Sequence, residues 1–132
     1  MCLSTGTILE TPRVTEEIGY KFFHKNPEGG IESYYVYSKK PIPLGVWLKA
    51  EDFQGRNAPT TGIKFSSQPG FYPLGFHFYK ETPGNYSFNH TLYQETVCYR
   101  IRARNIIVDG YNWPGDAVGV TQEILVEEEV VL

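Results

Sequence analysis

Cysteine, charge and long apolar runs are all scarce in this chain, and each shortage removes a class of protein. Only Cys2 and Cys98 occur among its 132 residues. Two thiols cannot build the dense disulfide framework of a small secreted domain, although a single bridge between them stays open. The apolar runs, such as residues 106–108 and 124–126, stop after a few positions, far short of the roughly 20 that span a bilayer as a helix. The opening stretch MCLSTGTILETPRVTEE has neither a basic start nor a continuous apolar segment, so no secretory signal is expected. Without one, Asn85-Tyr86-Ser87 and Asn89-His90-Thr91 read as chance sequons, and the expected compartment is the cytoplasm.

Basic residues are also in deficit. Twelve Lys and Arg face fifteen Asp and Glu, a formal charge of −3, so the chain has no global attraction for polyanions and no extended nucleic acid is expected as a partner. The motifs of common enzymes are missing too: there is no phosphate-binding G-x-x-x-x-G-K-[ST], no G-x-S-x-G, and no G-x-G-x-x-G after a strand. His24, His77, His90 and the two cysteines lack metal-ligand spacing, so neither a metal nor a cofactor is expected. An N-terminal nucleophile at Cys2 would require removal of Met1 and a larger pair of sheets than 132 residues easily supply. Cys98 reads as an ordinary strand thiol.

What is abundant points to β-structure. Hydrophobic residues make up 41% and aromatics 15%, enough to form a packed core and to exclude disorder over the whole chain. Thirteen glycines and nine prolines punctuate the sequence so often that no substantial helix fits. The pieces between them are rich in Tyr, Phe, Val and Ile, which suit a pleated surface. The pattern predicts a first strand at residues 19–24, a turn at Asn26-Pro27-Glu28-Gly29-Gly30, and a return strand at 31–38. Further strands are expected at 45–50, 62–66 and 74–80, with a loop at 51–61 and a turn at Pro83-Gly84-Asn85. Residues 95–108 form the longest strand pattern, and 117–132 the last. Asp109-Gly110 and the stretch from Asn112 to Gly115 read as turns. The expected fold is a single domain over 1–132, α+β and β-rich: one mostly antiparallel sheet, or a partly closed barrel, of about seven strands with at most one or two short helices.

Alternation in the 95–108 segment places Val97, Tyr99, Ile101 and Ala103 on one face and Cys98, Arg100, Arg102 and Arg104 on the other. Successive arginines then stand about 6.5–7 Å apart on one flank. Such a row could grip a phosphate or carboxylate through paired charge-assisted hydrogen bonds. It could equally form a cross-strand ladder with Glu123, Glu127 and Glu129. His77, between Phe76 and Phe78, is expected to face outward or into a cleft together with Gly75, Tyr79 and Glu81 if the two phenylalanines face the core. A histidine there could serve as a base or ligand contact, with Glu81 orienting it, or simply bond to a neighbouring strand. Tyrosines and tryptophans beyond the needs of one core suggest an aromatic binding surface near Tyr72, His77 and Tyr79, or cross-strand aromatic pairs.

Met1-Cys2-Leu3, the early Tyr20-Lys21-Phe22, the stretch Leu44-Gly45-Val46-Trp47-Leu48-Lys49-Ala50 and Gly75-Phe76-His77 with Phe78 together resemble a group of small uncharacterised bacteriophage and bacterial proteins. A segment like residues 99–110 before the final strand is part of the same likeness. The resemblance implies a binding protein that interferes with a host factor in the host cytoplasm, by sequestering a small anionic or nucleotide-like ligand or by masking a host protein. It carries no catalytic residues. Relatives often have an alanine-containing helix after Gly-Phe-His, where this chain has Pro83-Gly84-Asn85. The order of the Tyr-Lys-Phe, Gly-Phe-His-Phe and Val-Cys-Tyr-Arg segments is also similar to that of ADP-ribosyltransferases, which would place His77 or Tyr79 near nicotinamide, though a terminal acid motif is missing. The sequence reading therefore expects a non-catalytic binding protein, with Arg100, Arg102, His77 and Tyr79 facing the ligand. A homodimer paired along the C-terminal strand is compatible with that expectation, and the alternative is a small enzyme with a degenerate ADP-ribosyltransferase-like site around His77.

Overall fold

A computed structural model describes residues 3–33, 40–53, 62–83, 96–113 and 115–131. Residues 34–38 of the strand expected at 31–38, residues 54–61 of the loop expected at 51–61, Gly84 and Asn85 of the turn expected from Pro83, both sequons, His90 and Cys2 lie outside these residues. Among the described residues the architecture is β-rich, with nine strands and a single turn of 3-10 helix at Ala50–Phe53. Every strand pairing among them is antiparallel.

The spine is a long hairpin of β8 (Thr96–Tyr111) and β9 (Ala117–Val130). Each outer edge of this hairpin is shared by two strands. Along β8, β2 (Glu17–Lys25) covers residues 96–103 and β1 (Thr5–Arg13) covers 106–111. Along β9, β7 (Phe76–Tyr79) covers 118–121 and β4 (Trp47–Lys49) covers 123–125. A short β3 (Ile31–Ser33) extends β2, and β5 (Ile63–Lys64) with β6 (Phe71–Tyr72) forms a separate small ribbon.

Tyr20 of β2 pairs with Tyr79 of β7, and that contact turns the sheet into a ring of β8, β2, β7 and β9. The circuit from Arg100 through Tyr20, Tyr79 and Val118 returns to β8 at Gly110, ten residues along from its start. Closure with this much stagger demands strongly tilted strands, as in small barrels.

Two buried clusters fill the molecule. Phe23, Phe76, Phe78, Ile101, Ala103, Ile106, Ile124 and Val126 belong to one. Phe22, Tyr79, Cys98, Val108, Val118 and Val120 belong to the other, which is closed by Leu3, Phe65 and Tyr72. Adjacent residues such as Phe22 and Phe23, or Phe78 and Tyr79, thus serve different clusters, so β2 and β7 are buried on both faces. That burial overturns the outward placement of His77, whose side chain is only 2% exposed.

Other boundaries shift for local reasons. A strand precedes the one expected first, because Thr5–Arg13 pairs with the far end of β8. Asp109 and Gly110 continue β8, and the turn begins only at Asn112. The Asn112 carboxamide oxygen accepts from Asp116 N at 2.8 Å while Asn112 N donates to Asp116 O at 3.1 Å, a side-chain-capped reversal of the kind asparagine favours. The C-terminal strand has a neighbour on both flanks at residues 118–121 and 123–125, so there it offers no edge for pairing two subunits.

Candidate functional site

The arginine row forms as the alternation predicts, and glutamates meet it. Arg102 Nε lies 3.2 Å from Glu127 Oε1, Arg100 Nη1 lies 3.1 Å from Glu128 Oε1, and Arg104 Nη2 lies 3.1 Å from Glu123 Oε1. Glu128, in place of the expected Glu129, takes Arg100 because the ladder slips by one residue between Arg100 and Ile101. Arg104 also stacks 3.9 Å over the Trp47 ring. Arg100 Nε sits 3.5 Å from Glu127 without hydrogen-bond geometry, a buried N–H with no acceptor among the described residues. The row is therefore a cross-strand ion-pair ladder on an exposed face.

His77 and Tyr79 belong to β7 in the interior. Tyr79 and Arg100 share one row with Tyr20 between them, and His77 points to Tyr72. Three clefts, of about 280, 320 and 430 Å³, are lined by other residues than the four expected to face a ligand. His77 Nε2 lies 2.9 Å from Tyr72 Oη, and Leu3 N donates to the same hydroxyl at 3.0 Å. The Tyr72 hydroxyl can accept from Leu3 N–H and share a second hydrogen bond with Nε2, in which the donor is set by the imidazole tautomer. Burial, then the nearby Lys21 charge, hold the His77 pKa well below its usual value. Glu81 is exposed and stands apart from this relay.

Lys21 is the sequence's least expected interior group. Its side chain is 3% exposed, its ammonium donates to the His77 carbonyl at 2.8 Å, and the rings of Phe23 and Phe76 lie 5.9 Å away. Burial pushes its pKa down to about 7. Cys98, buried on β8 as a free thiol, is pushed up to about 11 by the same cause. A thiol so raised is a poor nucleophile.

One cleft of about 280 Å³ lies beside the 3-10 turn, between Lys49, Glu51, Leu74 and Glu123, and two more lie around the closed end of the β8–β9 hairpin. The first of these two, of about 430 Å³, is lined by Thr5, Thr7, Gln68, Lys80, Asp109 and Tyr111, among others. A second of about 320 Å³ adjoins it, with Glu81, Thr82 and Asp116 on its wall. Tyr111 and Ala117 border both. Tyr111 is 56% exposed and Trp113, on the capped turn, 70%.

Asp109 anchors the first cleft. Arg13 grips it through two hydrogen bonds of 2.9 and 3.0 Å, and Lys80 Nζ contacts the same carboxylate. The Arg13 bonds, reinforced by Lys80, hold the Asp109 pKa down at about 2 against the opposing effect of burial. Glu17 in turn accepts from Arg13 Nε at 2.5 Å. On the cleft's other wall, Gln68 pairs with Gly6 twice at 3.0 Å, its carbonyl accepting from Gly6 N and its amide donating to Gly6 O. These residues escaped the sequence reading because they come from four separated segments. The signals that could have found them were the aromatic pair Tyr111 and Trp113 on a turn and the acidic Asp109 beside Gly110.

No group of His, Cys, Asp and Glu among the described residues is arranged to hold a metal ion, and no helix among them is long and apolar enough to cross a membrane. Comparison with protein-family models, with curated proteins and with solved structures gave no match.

Proposed function

We propose that this protein acts by binding, without turnover, and that its ligand occupies the paired clefts at the closed end of the β8–β9 hairpin. The observation that carries this reading is Tyr111, an aromatic side chain left 56% exposed as the shared wall of two adjoining clefts. Tyrosine is favoured where a partner meets one apolar and one polar side. The first cleft also falls within the roughly 300–1,000 Å³ of ordinary small-molecule sites.

The reactive groups support binding over catalysis. His77, Lys21 and Cys98 are buried and committed to backbone or hydroxyl hydrogen bonds, and none lines a described cleft. The Arg100–Arg102 row is a weaker candidate for an anion, since each guanidinium would first have to leave a glutamate.

Amide chemical-shift mapping with a mixture of metabolite fragments tests the proposal. Shifts gathered on residues 5–7, 68, 80 and 109–117 are expected. Shifts gathered on residues 100–102 and 127–128 would move the site to the arginine row, and uniform silence would remove the binding reading.

A further inference from the structure

We infer that the larger cleft takes a neutral, hydroxyl-rich ligand of monosaccharide or cyclic-polyol type, stacked against Tyr111. The inference rests on the binding reading above and names the chemistry of its ligand.

Charge inside the cleft is already balanced. Asp109 is held by Arg13 and Lys80, and the remaining positive charge of Arg13 is met by Glu17. An incoming anion would compete with Asp109 for both cations and meet its negative charge. An incoming cation would meet Lys80 and Arg13. Neither gains a free counter-charge, whereas a neutral ligand disturbs no ion pair.

Hydrogen-bonding capacity, in contrast, is dense. Thr5 and Thr7 stand two positions apart on one strand face, and both residues line the cleft. Gln68 is fixed by its two bonds to Gly6 and keeps one N–H and one carbonyl lone pair for a further partner. The Lys80 ammonium retains donors beyond the one given to Asp109. Donors and acceptors thus share one concavity, a setting that vicinal hydroxyls, each both donor and acceptor, can satisfy. The exposed Tyr111 ring supplies the apolar wall that the C–H face of a saccharide or polyol ring needs.

The groups are also preorganised. Asp109 and Tyr111 ride on β8 beside β1, where Thr7 pairs with Asp109 and Thr5 with Tyr111. Gly6 and Gly110 let these strands approach closely, since a Cβ on Gly110 would fall 2.2 Å from Thr5 O. Fixed strands lower the ordering cost of binding.

The test uses the full chain, labelled with nitrogen-15 and titrated separately at millimolar concentration with methyl β-glucopyranoside, myo-inositol, inorganic phosphate and lysine methyl ester. The expected result is that a neutral polyol shifts the amides of residues 5–7, 68, 80 and 109–117. Tyr111→Ser should then weaken that binding about tenfold while Tyr111→Phe retains it, because stacking needs the ring and not the phenol. Thr7→Val should weaken it without altering the ring contact. If phosphate or the lysine ester shifts these amides and the polyols do not, the ligand class is wrong while the site stands. If the polyols leave the cleft silent, or if Tyr111→Ser binds them as tightly as the parent, the inference falls.

Discussion

Tyr72 Oη stands 2.9 Å from His77 Nε2 in the interior, and through the Leu3 N–H bonded to the same oxygen it ties the start of the chain to β6 and β7. Tyr72→Phe keeps the ring and deletes the hydroxyl. It would leave Leu3 N–H and His77 Nε2 without that partner, at about 1–3 kcal/mol. Urea denaturation of the two proteins measures the loss, and equal midpoints would show that the relay is not a stabilising link.

Acid should unfold the protein in two identifiable stages. The folded imidazole of His77 holds its proton less tightly than the free one, with its ordinary value at 6.5. The unfolded state therefore takes up the extra proton, and stability falls as pH drops below 6.5. Asp109 adds a second loss between its ordinary 3.8 and its folded value of about 2, because there the unfolded carboxylate binds the proton first. A pH series of urea midpoints reads both windows, and His77→Gln should flatten only the upper one.

Alkali should act in the opposite direction through Lys21. Its folded value of about 7 lies below the ordinary 10.5, so between those limits the unfolded amine carries more protons and stability rises with pH. Below 7 the cost of a charged amine in the interior is fully present. Lys21→Met should remove the alkaline rise, measured by the same series. A rise that survives the substitution would assign it to another group.

Phe78 depends on two glycines. A Cβ on Gly19 would fall 2.5 Å from the Phe78 ring and one on Gly119 2.6 Å, from the strands on either side. Gly119→Ala should cost about 1–3 kcal/mol through overpacking. Combining it with Phe78→Leu should recover part of that loss in a double-mutant cycle, whereas simple additivity would mean the two positions do not press on each other.

The ion-pair ladder should matter little except at one residue. Glu128 is largely exposed, so Glu128→Gln should change stability by less than about 0.5 kcal/mol. Glu127 is mostly covered and faces both Arg100 and Arg102, so Glu127→Gln should cost about 1 kcal/mol. Thermal midpoints with and without added salt separate the two.

The sequence made the strands legible wherever alternation and turn chemistry agreed. The Asn26 turn, the arginine face and the long final hairpin follow from period-two patterning and asparagine caps. Burial of His77 did not follow, because alternation implies one wet face and β7 has none. The roll of the hairpin was hidden too. Arg104 faces out while Ile106, of the same parity, is fully buried, and between them Asn105 takes φ 58°. Asparagine tolerates that conformation, but nothing local announces it. The clefts were illegible for a different reason: Thr5, Gln68, Lys80 and Asp109 meet only when the ring closes.

Gln68 occupies the place that a neighbouring strand's peptide would take beside Gly6. That carboxamide covers the Gly6 peptide on the outer edge of β1, and Pro12 further along the same strand has no N–H to offer there. The same carboxamide that covers this stretch of edge also lines the larger cleft, so closing the rim and shaping the hollow are one act of a single side chain.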